Sequence, residues 1–256
     1  MAISDFDFKE RSLLFAKLAN LAYANEKTLK DGLPKGLGSR LTNKITFYDR
    51  DGAQAYRIET ETDIIIACRG TEPTQFNDVK ADLRAVPVLA ETVGRVHVGF
   101  KSEVDDLWPM IKADLHEGEK KPLWFTGHSL GAAMTTIMAA RCNADPLMPN
   151  IEEVYTFGSP RVGWTKYVAS LDVPHHRWVN NNDVVTRVPF AIMGYRHHGT
   201  EHYMNAYGQV RKHTGWQRVK DRWRGMKMGF AKGGIDSFSD HMMSQYISNL
   251  ENWLEE

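Results

Sequence analysis

Cysteine is scarce. The 256-residue chain has two, Cys68 and Cys142, too few for a disulfide framework. Cys68 lies in an apolar run and Cys142 near the end of a predicted helix, so both read as buried, inert thiols. A reducing compartment is the default for such a chain. Net charge is missing as well: 32 basic residues balance 32 acidic ones. Neutrality argues against nucleic acid as the main partner. No apolar run approaches about 18 residues, so no segment reads as a transmembrane span. The first eleven residues lack both the basic and the apolar stretch of a secretory signal. The expectation is a cytoplasmic protein, although a secreted mature form would show the same features.

Hydrophobic residues make up 42% of the chain and aromatics 11%, enough for the core of one large α/β domain spanning residues 1–256. The stretch at 123–134 organises it. Leu123, Trp124 and Phe125 read as a short buried strand, and residues 132–140, rich in Ala, Met and Thr, read as a buried helix. Between them stands Gly127-x-Ser129-x-Gly131, the strand–turn–helix pattern that exposes a nucleophilic serine. A tight turn pushes the Ser129 hydroxyl outward and brings strand and helix together at positions 127 and 131, where a Cβ would clash. The helix then starts at the serine, with its first N–H groups and positive dipole end facing the reacting centre. The Leu130 N–H is a candidate oxyanion donor.

Other elements are read from periodicity. A helix is expected over residues 5–24, capped by Ser4, with Leu14, Leu18 and Leu21 forming its buried stripe. A hairpin is expected over 45–58, turning at Asp51-Gly52. Residues 64–68 read as a buried strand that opens into Arg69-Gly70-Thr71, where Thr71 could be a second oxyanion donor. Within 74–89, Phe76, Val79, Leu83 and Val86 predict a short amphipathic helix that Pro87 ends, either a plain surface helix or a mobile cover. His97, at a strand end ahead of the serine, reads as a structural histidine. Strands are expected at 154–157 and 177–179. Asp183 follows the second of these, after the serine in chain order, where an elbow serine needs the acid that orients its base.

Five histidines follow Asp183: His197, His198, His202, His213 and His241. Chain order does not choose among them, but the turn before an amphipathic C-terminal helix favours His241. Residues 195–203 read as an exposed strand pair or loop. Residues 210–232 hold eight Lys/Arg and one acid, interleaved with Trp216, Trp223, Met226, Met228 and Phe230. Such a segment suits a solvated loop or contact with an anionic lipid surface.

Taken together, residues 126–133, 69–71, 96–100, 155–161, 181–189 and Asp240-His241 resemble the class 3 lipases, the fungal-lipase-like branch of the α/β-hydrolases. The resemblance covers roughly residues 10–250, with the motifs in family order. It implies an α/β-hydrolase fold, a central, mostly parallel sheet flanked by helices, with a lid within 72–95. It implies Ser129 as nucleophile, Asp183 as acid, His241 as base, and Thr71 and Leu130 as the oxyanion hole, with no metal or cofactor. The activity implied is serine ester hydrolysis of acylglycerols or other lipid esters, most simply as a triacylglycerol lipase. A phospholipase A1 or a short-chain or feruloyl-type esterase would carry the same motifs. The chain departs from secreted fungal members in lacking their disulfides and in its basic insertion at about 210–232.

Two rivals come from other classes. His198-x-x-Glu201-His202 matches a zinc-peptidase pattern, which requires a helix to bring both histidines to one face. A non-catalytic lipid-binding protein on the same fold is the other, separable by failure of Ser129 to react with a fluorophosphonate.

Overall fold

A computed structural model describes residues 2–33, 44–70, 86–210 and 239–256. The chain enters its main sheet through a hairpin, β1 (Lys44–Arg50) and β2 (Ala53–Glu59), joined at Asp51-Gly52. Both turn residues have positive φ, 53° and 93°, as in the turns that match the right-handed twist of the flanking strands. β3 (Ile64–Cys68) adds antiparallel to β2. β4 (Pro87–Leu89) and β5 (Arg95–His97) form a separate short ladder. β6 (Leu123–His128), β7 (Ile151–Phe157), β8 (Gly163–Trp164), β9 (His175–Asn180), β10 (Tyr195–Arg196) and β11 (Thr200–Met204) follow.

The main sheet runs β1-β2-β3-β6-β7-β9-β11, parallel from β3 onward, and the small antiparallel sheet runs β10-β8-β5-β4. Both faces of the main sheet are covered, which is why its central strands read as unbroken apolar runs. Ile64, Ile66 and Cys68 join one core with the helices Val98–Glu117 and Leu130–Asn143. Ile65 and Ala67 join the other, with the N-terminal helix Phe8–Leu21 and the C-terminal helix Met243–Glu255. The resulting layers are those expected from the resemblance. Among the described residues, no helix is long and apolar enough to cross a membrane.

Three local expectations need correction. The first helix starts at Phe8 and ends at Leu21, not at 5 and 24. A single 3-10 turn, Ile3–Asp5, precedes it. Asp7, not Ser4, is the cap: its carboxylate accepts from Glu10 N at 2.9 Å and Glu10 returns a bond to Asp7 N at 2.9 Å, a capping box that sets where the helix begins. Pro87, the expected stop of the amphipathic segment, opens a strand over 87–89, with Val88 opposite Val96. Residues 71–85, which hold Thr71 and most of the expected lid, lie outside the described residues, as do 211–232 of the basic insertion. The 195–203 region is not an exposed pair: β10 and β11 belong to different sheets, and Tyr195, Tyr203 and Met204 are buried.

Candidate active site

The carboxyl ends of β3, β6, β7 and β9 meet at one edge of the main sheet, the place where open α/β sheets bind ligands. Ser129 sits between β6 and the helix Leu130–Asn143 with φ 58° and ψ −126°. A non-glycine residue held at positive φ is strained and must be over-determined by its surroundings. Here the surroundings are backbone. A Cβ on Gly127 would fall under 3.0 Å from Gly131 O, and one on Gly131 would fall under 3.0 Å from Cys68 O. Ser129 N–H donates to Phe157 O at 3.1 Å. Its Oγ is buried and has no hydrogen-bond partner among the described residues. Leu130 opens the helix, whose first N–H groups have no partner within the helix.

Asp183 lies just past β9 and is fully buried. A carboxylate taken out of water needs compensation, and three donors supply it. Val185 N–H donates to Oδ1 at 2.9 Å, while His241 Nδ1–H at 2.9 Å and the Tyr246 hydroxyl at 2.7 Å both donate to Oδ2. The carboxylate thus assigns the proton to Nδ1 of His241 and leaves Nε2 as its basic nitrogen. The Tyr246 oxygen in turn accepts from Asn180 N at 3.0 Å. Burial, then the Asp183 charge, holds the Tyr246 hydroxyl well above its ordinary pKa, so it stays a donor.

The backbone around His241 is clamped on both sides. Asn180 Nδ2 donates to Asp240 O at 2.9 Å, and Asn181 Nδ2 and Asn182 N donate to Asp240 Oδ2 at 3.0 and 3.2 Å. His128 Nε2–H donates to His241 O at 2.7 Å, and the Tyr23 hydroxyl lies 2.9 Å from His128 Nδ1. Burial first, and the neighbouring His241 second, push the His128 pKa well below the usual imidazole value. The ring is therefore neutral, with one N–H for the carbonyl and one lone pair for Tyr23. Gly158, at φ 59°, faces this group. A Cβ there would lie 2.8 Å from Asp183 Oδ2 and from His241 Cε1 and Nδ1.

The geometry thus brings Ser129, Leu130, Asp183 and His241 to one sheet edge. It adds Tyr246, His128, Asn180 and Gly158, which the sequence did not single out. In the sequence Tyr246 is one of the apolar stripe Met242, Tyr246, Leu250, Trp253 and Leu254 of the last helix, although a buried tyrosine hydroxyl generally needs a partner. Thr71 lies outside the described residues, but its neighbour Gly70 is pressed against the elbow: a Cβ there would come 2.6 Å from His128 O and 3.3 Å from Gly131 N. His97 caps the helix Val98–Glu117 by accepting from Gly99 N at 3.2 Å, a structural role.

The zinc-peptidase pattern is overturned. Glu201 and His202 lie on β11, not on a helix, and His198 just precedes that strand. His198 contacts His175 at 3.1 Å and Leu171 O at 3.1 Å, His202 contacts His176 at 3.1 Å, and Glu201 pairs with Arg177 at 2.8 Å. The three side chains serve separate partners. Among the described residues, no group of three His, Cys, Asp or Glu could hold a metal ion.

A parallel sheet with a strained serine at a strand–helix elbow, and a buried acid–histidine pair beyond the later strands, defines the α/β-hydrolase class. Within it, the chain belongs to the class 3 lipase family, whose model matches residues 65–193. The lipase of Rhizomucor miehei is 32% identical over 168 residues, covering 61% of this chain and 46% of that protein. Toxin TseL of Vibrio cholerae is 29% identical over 190 residues, covering 57% and 30%. The secreted mono- and diacylglycerol lipase 1 of Fusarium solani is 32% identical over 117 residues, covering 43% and 34%. The chain thus spans less than half the length of each of these relatives. Among solved structures, lipase II from Rhizopus niveus superposes with a TM-score of 0.66 at 22% identity, covering 80% of this chain and 82% of that one. A variant of MDLA from Penicillium cyclopium gives 0.69 at 19% identity, covering 96% and 100%. At these identities the likeness is one of fold.

Proposed function

We propose that this chain is a serine carboxylic-ester hydrolase acting on lipid esters, with acylglycerols as its substrate class. The observation that carries the reading is a strained, buried serine whose N–H donates to Phe157 O, next to Gly158, which is packed directly against the Asp183–His241 pair. His241 Nε2 takes the Ser129 proton as Oγ attacks the acyl carbonyl. Asp183 keeps the proton on Nδ1 and stabilises the imidazolium. Val185 N–H and Tyr246 hold that carboxylate in place. The Leu130 N–H, with Thr71 as the second donor implied by the family resemblance, stabilises the tetrahedral oxyanion. Losing one such donor costs about 3–4 kcal/mol of barrier. His241 then protonates the departing alkoxide. Water, activated by the same imidazole, attacks the acyl-serine and releases the acid. No step requires a metal or cofactor. The names of relatives, among them a mono- and diacylglycerol lipase, support acylglycerols over other esters.

The test is hydrolysis of p-nitrophenyl esters from acetate to palmitate, beside emulsified triglyceride, by the wild type and by Ser129→Ala. Activity on long chains and on triglyceride, lost in the variant, is expected. Activity confined to the shortest esters would make the protein an esterase, and activity surviving Ser129→Ala would remove the proposed nucleophile.

A further inference from the structure

The small sheet carries a group of apolar side chains that face solvent. Ile192 is 95% exposed, Leu89 71%, Phe190 61% and Met193 44%. Scattered single exposures are ordinary, but Phe190, Ile192 and Met193 stand together on one turn at the β10 edge, with Leu89 on the opposite edge strand, β4. Phe190 caps and Ile192 and Met193 lie within a 3-10 turn, Ala191–Met193, which leads directly into β10. Trp164 on β8 pairs with Tyr195, and its ring meets the 194 position, where a Cβ would lie 3.2 Å away. The Arg95 guanidinium lies 5.4 Å from the centre of the same ring, and Arg95 pairs across the ladder with Leu89.

The turn is braced from below. Arg196 Nη1 donates to Ala191 O at 2.7 Å and to Tyr195 O at 2.8 Å. Arg161 donates to Pro189 O at 2.9 Å and also to Arg187 O. Apolar side chains held out on a rigid turn are presented to something.

Charge says to what. Arg95 lies over the Trp164 ring and Arg196 bonds the turn at Ala191 O, and neither forms an ion pair with a carboxylate among the described residues. The acid between β4 and β5, Glu91, is already engaged by Arg141 at 2.7 Å and Lys101 at 3.4 Å. Exposed apolar side chains, a tryptophan and uncompensated cations together are the composition that partitions into an anionic lipid–water interface. The face is also tied to the candidate site. The 3-10 turn Val185–Arg187 follows Asp183 directly and is bonded to it through Val185 N and Thr186 Oγ1, and the chain then runs on through Pro189 to Phe190.

We propose that Phe190, Ile192 and Met193, with Trp164, Arg95 and Arg196 around them, form a docking face for an anionic lipid surface. The proposal rests on the lipid-ester reading only for its choice of partner. Docking here brings the substrate phase to the part of the fold that also holds Asp183.

The test is flotation of the full chain with vesicles of ether-linked phosphatidylcholine, with and without ether-linked phosphatidylglycerol, lipids the protein cannot hydrolyse. The wild type is expected to float with anionic vesicles, and Ile192→Asp and Phe190→Asp to bind about tenfold more weakly each, as removal of one inserted side chain should give. Arg95→Gln should lose roughly fivefold on the anionic vesicles only. Hydrolysis of soluble p-nitrophenyl butyrate should be unchanged in all three. Equal binding by the wild type and the aspartate variants would overturn the proposal, and so would absence of wild-type binding while soluble hydrolysis persists. Equal binding with and without phosphatidylglycerol would overturn the anionic assignment. Light scattering that finds a wild-type dimer and an Ile192→Asp monomer would replace the lipid with a second copy. Failure of soluble hydrolysis with intact flotation would sink the enzymatic reading and leave the docking face standing.

Discussion

The Tyr246 hydroxyl does two things at once: it donates to Asp183 Oδ2 and accepts from Asn180 N. Tyr246→Phe keeps the ring and removes both bonds. The carboxylate loses one of its three donors, and a buried backbone N–H loses its acceptor, an omission of about 1–3 kcal/mol. The expected result is kcat on a soluble ester reduced about tenfold with KM little changed, and a melting temperature lower by roughly 2–10 °C. An unchanged kcat beside a lowered melting temperature would leave Tyr246 a purely structural residue. Gly131 offers a cleaner steric test. The Cβ of Gly131→Ala would meet Cys68 O and Arg69 C, both backbone, each under 3.0 Å. Neither can rotate away, so β3 must move from the elbow. A loss of about 3 kcal/mol is expected, read by denaturant titration, together with a fall in activity, because the Ser129 turn depends on that approach. The glycine requirement was legible in the sequence because the chemistry of an exposed serine dictates it. Tyr246 was not, because in sequence it is one more large residue on an amphipathic face.

At the scale of elements, the β9–β11 edge concentrates histidines. His175 and His198 sit 3.1 Å apart, as do His176 and His202, whose ring also stacks on Trp178 at 4.8 Å. Burial dominates their titration. It lowers His175 well below the usual value, His197 to about 3 and His202 to about 4, with neighbouring histidines or Arg177 adding to the effect. A histidine whose folded pKa is depressed contributes stability that is complete above the unfolded value of about 6.5. That contribution is lost as pH falls toward the folded value, because the unfolded chain binds more protons in that window. Between pH 6.5 and 5, the half-buried His197, held on Thr186 O, should account for at most about 2 kcal/mol, and His198 and His202 for less. Melting followed by ellipticity at pH 8, 7, 6 and 5 should be level above 7 and fall below 6.5. His197→Gln should flatten that slope, and a flat wild-type profile would contradict the assignment. This edge also shows where sequence reading stops. The His-x-x-Glu-His pattern needs a helix, and Gly199 and Thr200 already argue against one in the sequence; what the sequence does not show is that 200–204 pairs parallel with β9 in the main sheet. The elbow and β3 were readable because strands buried on both faces are continuous apolar runs. β4 was not, because it is only three residues long and follows directly on the helix-like spacing of Phe76, Val79, Leu83 and Val86.

At the scale of the whole structure, the helices Phe8–Leu21 and Met243–Glu255 pack together over one face of the main sheet. His241 enters the site from the turn before the C-terminal helix, and that helix is held by an apolar layer shared with the first helix: Met243, Tyr246 and Leu250 beside Leu14 and Leu18. Polar contacts reinforce the seam, with Lys9 Nζ on Trp253 O at 2.7 Å and Lys17 on Glu251 at 2.8 Å. The second is an exposed pair and contributes little. If the apolar layer is what fixes His241, then loss of the site and loss of the fold are one event. Leu250 is fully buried, so Leu250→Ala should cost about 2–5 kcal/mol and lower the melting temperature by roughly 4–20 °C. Because the leucine touches no reacting group, kcat measured well below that temperature should stay near the wild-type value. The temperature at which activity is irreversibly lost should fall in step with the melting temperature in both proteins. Inactivation many degrees below the loss of ellipticity would mean instead that the C-terminal helix opens as a separate cooperative unit. The base would then leave the nucleophile while the sheet stays folded, and the stability of the site would be set by this one seam rather than by the core beneath it.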